Sequence, residues 1–140
     1  MSTAVCTAFA PSTELNDQIS EADTIIRVVV ISETRIEEDS TFTAIAKCRI
    51  VTKVKGGESL KDFIFIPSSY NIDPDRSPIY REGDYVVMLN TFKNAEIGHP
   101  VSYDSVYPIK KGKIILGFGD DAKSVSPEEF YAIIEGVTNQ

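Results

Sequence analysis

The segment from Thr41 to Lys55 constrains this chain more than any other part of it. Phe42, Ala44, Ala46, Cys48, Ile50 and Val54 fall on one parity, and Thr43, Lys47, Arg49 and Lys53 on the other. Successive side chains of a strand point to opposite faces, so a period of two predicts a long strand with one buried and one solvated face. A core must lie beneath it, and Cys48 belongs to the buried side.

The flanking segments repeat the theme. Ile25 to Ile31 is a β-branched run, apolar on both faces except for Arg27, and reads as a central strand. The polar stretch Glu37-Glu38-Asp39-Ser40 is expected to be a loop. After Gly56-Gly57, Leu60 to Ile66 forms the next strand, with Phe63 and Phe65 opposite Ile64 and Ile66, and Pro67 is expected to stop it. Residues 67–83, with Pro67, Pro74 and Pro78, read as a long irregular segment of the kind that often carries function. Tyr85 to Leu89 is a fourth strand. A hairpin from about Ser105 to Phe118 turns at Lys110-Lys111-Gly112-Lys113, where Gly112 can take positive φ.

Two helices frame these strands. The first runs from Ser12-Thr13 to Ala22, where a hydroxyl can cap the start and Leu15, Ile19 and Ala22 form an apolar stripe. The second opens with Ser126 as N-cap, Pro127 at the first helical position and Glu129 closing a capping box; Phe130, Ile133, Ile134 and Val137 supply its stripe. The expected fold is mainly β, a five-stranded OB-like barrel with a short N-terminal helix and a C-terminal helix. Periodicity alone leaves another small barrel or a sandwich open. A chain of 140 residues fits a single domain. Within it, residues 6–118 are expected to hold the barrel with its N-terminal arm and helix, and 125–138 the C-terminal helix.

Charge narrows the partners. The chain carries 21 acidic and 14 basic residues, for a net charge of −7. Its lysines and arginines are scattered, whereas a surface that tracks phosphates needs them clustered, so nucleic acid is not an expected ligand. No apolar run approaches the ~20 residues that span a bilayer.

Catalytic chemistry has little to stand on. The single histidine, His99, lies between Gly98 and Pro100 in a turn-like segment, without a nucleophile pattern around it. Gly117-Phe118-Gly119 is too short to cradle a phosphate. Asp73-Pro74-Asp75-Arg76-Ser77 imitates the start of a calcium loop, but Pro78 stands where the turn glycine is required and Asp84 where the bidentate glutamate is. Asp120-Asp121 and Glu37-Glu38-Asp39 read as solvated turns. No cofactor, metal or enzymatic activity is expected.

Cys6 and Cys48 belong to no CxxC pair. In an oxidising compartment a Cys6–Cys48 bridge would pin the N-terminal arm to the barrel, closing a loop worth roughly 3–4 kcal/mol on the chain-entropy estimate. The opening residues show no basic segment followed by an apolar one, so the chain is either cytoplasmic or has lost a leader.

Cys6, the proline-containing spacer, the short helix and Ala22-Asp23-Thr24-Ile25-Ile26-Arg27-Val28-Val29-Val30 resemble the opening of the netrin-like domain of tissue inhibitors of metalloproteinases (TIMPs). The likeness continues through Val51-Thr52-Lys53-Val54-Lys55-Gly56, Phe63-Ile64-Phe65-Ile66-Pro67-Ser68-Ser69 and Gly83-Asp84-Tyr85-Val86-Val87, covering roughly residues 6–92. Small exported bacterial proteins of unsettled function resemble the chain in the same way. The resemblance implies a five-stranded OB barrel, with Cys6 as a zinc chelator through a free terminal amine and Thr7 as the residue entering a protease pocket. That mechanism requires a chain beginning at Cys6, and Ala8 stands where a Cys-x-Cys pair would have its second cysteine.

The expectation is therefore a non-catalytic, exported binding module, secreted or at the cell surface, that engages a protein partner. Its contacts would come from Cys6 and Thr7 in the arm and from Tyr70, Ile72, Ile79 and Tyr80 in the long loop. A metalloproteinase inhibitor acting through a processed Cys6, or a structural component of the cell surface, are the competing readings.

Overall fold

The computed structural model describes residues 11–38, 41–70, 83–102, 104–117 and 119–140. Its elements are α1 (Pro11–Glu21), β1 (Thr24–Glu38), β2 (Thr41–Lys55), β3 (Phe63–Tyr70), β4 (Gly83–Asn90), β5 (His99–Pro100), β6 (Val106–Lys110), β7 (Lys113–Leu116), a single 3-10 turn (Gly119–Asp121), β8 (Lys123–Val125) and α2 (Pro127–Thr138). Eight strands form one antiparallel sheet in the order β3-β2-β1-β4-β6-β7-β8, with β5 paired to β4 beside β6. The mainly β class and the two terminal helices agree with the sequence. The strand count is eight rather than five: the expected hairpin from about Ser105 to Phe118 is present as β6 and β7, and the short β5 and β8 join the sheet beyond the strands read from the sequence. Followed strand by strand, the ladder is open between β3 and β8.

The long β1–β2 ribbon sets the shape. β1 is central, pairing with β2 on one side and β4 on the other. Register shifts between Ile25 and Ile26, Arg27 and Val28, and Val30 and Ser32 interrupt its ladder with β2. Each such bulge bends the strand and increases its twist, so the ribbon coils rather than lying flat. The coil gives the sheet a concave side. There Ile26, Val28 and Val30 of β1 meet Ala46 and Cys48 of β2, Ile64 and Ile66 of β3, and Val87 and Leu89 of β4, all buried.

The opposite face carries the helices. Ile25, Val86, Met88 and Ile114 point outward and are covered by Leu15, Ile19 and Ala22 of α1 and by Phe130 and Ile134 of α2. Tyr107 and Phe130 pack as a tilted ring pair with centroids 5.1 Å apart. β1 and β4 therefore read as apolar on both faces because each is buried between two layers. Lys55 of β2 donates to the carbonyl of Ile19 at 2.7 Å, placing a cation on the last turn of α1, which has no basic residue of its own.

The helix ends follow local chemistry. Ser126 accepts from the Glu129 backbone at 3.1 Å, and Glu129 accepts from the Ser126 backbone at 3.1 Å, closing the expected capping box. Those bonds from Ser126 hold the Glu129 carboxyl below the usual carboxylate range. The side chains of residues 11–14, including the hydroxyl expected to cap α1, lie outside the described residues.

Three local expectations are corrected. Glu37 and Glu38 are strand, not loop, since β1 continues opposite Phe42 and Thr41 of β2. Pro67 does not end β3, which runs to Tyr70 with Pro67 opposite Ile45. At this position β3 is an outer strand, so the N–H that proline lacks is not needed by a second neighbour. His99 belongs to a short strand opposite Asn90 rather than to a free turn. The Lys110–Lys113 turn is as expected, with Lys111 at φ 53° and Gly112 at φ 73°, the primed geometry that suits a two-residue hairpin.

An aromatic stripe as the candidate functional site

The period of two that sends Ile64 and Ile66 inward sends Phe63 and Phe65 out. They stay 42% and 41% exposed, beside Ile97 at 39% and Phe92 at 74%. Phe63, Phe65 and Ile97 lie on adjoining backbone, and Phe92 reaches them through His99. Phe65 and Ile97 are joined by an isolated parallel bridge, with Phe65 N–H donating to Glu96 O at 2.7 Å and Gly98 N–H donating to Phe65 O at 3.0 Å. Gly98 between Ile97 and His99 faces inward, where an added Cβ would lie 2.7 Å from Leu89 Cδ1 and 3.1 Å from Ile64 Cδ1. His99 therefore follows Ile97 on the outside, and its ring meets Phe92 at 6.3 Å between centroids.

Phe92 sits in a turn that needs outside help. Asn94 N–H closes it onto Thr91 O at 2.8 Å, with Phe92 at φ 52° and Lys93 at φ 66°. Positive φ costs a non-glycine residue roughly 1–2 kcal/mol. Asp23, from the start of β1, compensates. Its carboxylate accepts from Thr91 N–H at 3.0 and 3.1 Å, Phe92 N–H at 3.2 Å and the Thr91 hydroxyl at 3.2 Å. Partial burial would push this carboxyl up, but the hydrogen bonds from Thr91, Thr24 and Phe92 outweigh burial and hold it below its ordinary value. Asn94 then accepts from Glu96 N–H at 2.7 Å and Ile97 N–H at 3.2 Å, aiming Ile97 toward β3.

The stripe has a basic margin. Lys47 and Arg49 on β2 stand opposite Phe65 and Phe63, and Lys47 Nζ lies 4.9 Å from the centroid of the Phe63 ring. Among the described residues the ion pairs are Arg27–Asp84 at 3.7 Å and Arg35–Glu33, so neither Lys47 nor Arg49 has an acidic partner there. Lys93, exposed beside Phe92, adds a third cation to the half-buried Lys47 and the exposed Arg49.

A second concavity, about 870 Å³, opens between α1, the β6–β7 hairpin and the start of α2, lined by Leu15, Tyr107, Ile115, Val125 and Ile133 among others. Its polar base is internally paired. Gln18 donates to Asp104 at 3.1 Å, Tyr107 donates to Gln18, and the Ser102 hydroxyl donates to Asp104 at 2.6 Å. That network ties α1 to the 101–105 segment, which leaves β4 and returns to it through Val101 N–H to Met88 O and Met88 N–H to Ser105 O, both at 3.0 Å.

The residues singled out from the sequence fare differently. Cys6, Thr7, Ile72, Ile79 and Tyr80 lie outside the described residues, as does the calcium-like stretch 73–78; Tyr70 ends β3, but its side chain is also outside them. Cys48 is a free, fully buried thiol, and burial pushes its pKa up to about 12. Asp84 pairs with Arg27. Asp120 and Asp121 form an exposed 3-10 turn. Among the described residues no three His, Cys, Asp or Glu side chains are grouped to hold a metal, and no helix is long and apolar enough to cross a membrane. Asp23 and Arg27, which carried the resemblance, both have structural work, one bracing a turn and the other pairing with β4.

Alternation puts Phe63 and Phe65 on one side of a strand without assigning that side to the surface, and nothing in the sequence pattern points to Phe92. No local signal marks Phe92, because a left-handed Phe-Lys turn contains no glycine and its support comes from Asp23. No protein-family model matches the chain, and no curated protein matches it.

Proposed function

We propose that this chain is a non-catalytic module that binds a protein partner through the Phe63–Phe65–Ile97–Phe92 stripe. The observation that carries the reading is the exposure of Phe63, Phe65 and Ile97 on adjoining backbone and of Phe92, linked to them through His99 and presented by a turn held in a costly conformation. Isolated exposed hydrophobes are ordinary, but contiguous ones with a polar rim mark interaction surfaces, and aromatic side chains dominate the energetics of such sites. The strained turn adds to this, since backbone strain concentrates where function requires a fixed presentation.

In this reading the sheet is an OB-like barrel. The parallel contact between β3 and residues 96–98 is its seam, and the strand sequence β1-β2-β3-(96–98)-β4 around the concave core supports that view. The resemblance to the netrin-like domain of the TIMPs points the same way, and with it an exported, cell-surface or secreted setting. The C-terminal strands and α2 then form an added layer on the barrel's outside.

The test is quantitative capture from extracts of the source with the full chain and with the double variant F65S/F92S. Circular dichroism must first show that both are folded. A protein recovered by the first and not the second, and rebinding after purification with a measurable Kd, is the expected result. Equal recovery by both would remove the stripe from the function.

A further inference from the structure

The charge around the stripe runs against the charge of the molecule. The chain as a whole is at −7, yet Lys47, Arg49 and Lys93 edge the exposed phenylalanines, and the first two have no acidic partner among the described residues. Asp62 and Glu96, the acids that immediately precede Phe63 and Ile97, are both exposed. Two cations without an acidic partner among the described residues, beside a desolvating aromatic surface, are poised for charge-assisted contacts that exposed surface pairs elsewhere do not make. From this we infer that the partner surface is acidic: a peptide segment in which Asp or Glu side chains alternate with aromatic or branched aliphatic ones. Its apolar groups would lie across Phe63, Phe65 and Ile97, and its carboxylates would reach Lys47 and Arg49.

Cations beside aromatic rings also describe surfaces that stack single-stranded nucleic acid. The observations favour the acidic peptide. Phosphate tracking requires a run of cations along the strand path, and two residues on β2 plus one on a turn do not supply it. A net charge of −7 repels a polyanion at long range, while a short acidic segment meets only the local basic margin. Apolar anchors such as Ile97 fit side chains better than bases.

This inference rests on the reading of the stripe as a protein-binding face, and the experiment separates the two. The immobilised full chain is used to select from a phage-displayed library of random dodecapeptides. The enriched sequences are then synthesised with a fluorescent label and titrated by polarisation, alongside a labelled twelve-residue oligothymidylate. The expected result is enrichment of acidic residues next to Phe, Leu or Ile. Binding should weaken at least tenfold in K47E/R49E, weaken at least tenfold in F65S, persist in the conservative K47R/R49K, and fall as salt rises. Enriched peptides that are basic or uncharged, but are still lost in F65S, would overturn the acidic partner and leave the stripe as the site. Peptides indifferent to both F65S and K47E/R49E, or no enrichment, would overturn both. Tighter binding of oligothymidylate than of any selected peptide would replace the inference with a nucleic-acid surface.

Discussion

Asp23 and Thr91 are joined by three hydrogen bonds across the sheet, two from the Thr91 amide at 3.0 and 3.1 Å and one from its hydroxyl at 3.2 Å. A residue at the mouth of β1 thereby fixes the turn that follows β4, and with it the position of Phe92. Replacing Asp23 by Ala should cost about 1–2 kcal/mol of stability at neutral pH, since hydrogen bonds to a charged acceptor are stronger than neutral ones. The effect has a pH signature. The folded carboxyl titrates below its ordinary value. Its contribution is therefore complete above the unfolded value of about 3.9 and is lost as pH falls through the lower folded value. Urea midpoints of wild type and D23A should differ at pH 7 and converge as the pH falls through the lowered folded value of Asp23.

Gly56 tests close packing separately from backbone conformation. It lies at φ 61°, and a Cβ there would come within 2.2 Å of the Asp23 carbonyl oxygen. Gly112 has a similar φ of 73° with nothing within 4 Å. Gly112→Ala should cost about 1 kcal/mol, the conformational penalty alone. Gly56→Ala should cost about 3 kcal/mol or more, because the β1–β2 ribbon must open at its mouth. Equal losses in chemical denaturation would show that the contact with Asp23 is dispensable.

Cys48 should be inert in the folded protein. Its thiol is fully buried, its pKa is pushed up to about 12, and its hydrogen points toward Ala46 O at 3.9 Å. Alkylation at pH 8, followed by peptide mapping, should leave Cys48 unmodified until the chain is unfolded. Because the folded thiol resists ionisation, its contribution to stability is full below the unfolded value of about 8.5 and is lost as pH rises toward the folded value. Modification of Cys48 at the rate of a free thiol peptide would contradict its burial.

The contact between β3 and residues 96–98 can be read by hydrogen exchange. Phe65 N–H and Gly98 N–H are both bonded across it, at 2.7 and 3.0 Å. Both amides should exchange slowly, by way of global rather than local opening. Gly98→Val should cost about 2–3 kcal/mol, since its methyls meet Leu89 and Ile64, and should speed exchange at Phe65 more than at Ile26. Fast exchange at Phe65 in the wild type would mean that the contact with residues 96–98 is not formed in solution.

Much of the inner architecture was legible because it follows from period and local chemistry. The alternation of β2 placed Ala44, Ala46 and Cys48 inside, and the two-sided apolar run of β1 identified the central strand. The capping box of α2 was equally plain. What failed was decided by pairing partners that period does not name. Glu37 and Glu38 look like a loop until Phe42 and Thr41 are known to face them, and Pro67 looks like a stop until β3 is known to be an outer strand. The stripe failed for the same reason. Which side of Phe63-Ile64-Phe65-Ile66 is buried depends on the coil of the ribbon, and the Phe92 turn depends on Asp23.

Phe63-Ile64-Phe65-Ile66 has one further consequence, felt before the fold exists. A strand whose inward residues are core and whose outward residues are left bare is apolar on both sides when the chain is newly made. Such a segment pairs readily with copies of itself, and short, uncharged, β-branched and aromatic runs are what aggregates are built from. Lys61 and Asp62 stand directly before it and Pro67 directly after it. A charge on one flank and a residue without an amide hydrogen on the other act as gatekeepers, limiting how far a misplaced ladder can grow. The proline that looked like the end of a strand thus guards the nascent chain against the surface that the finished protein presents.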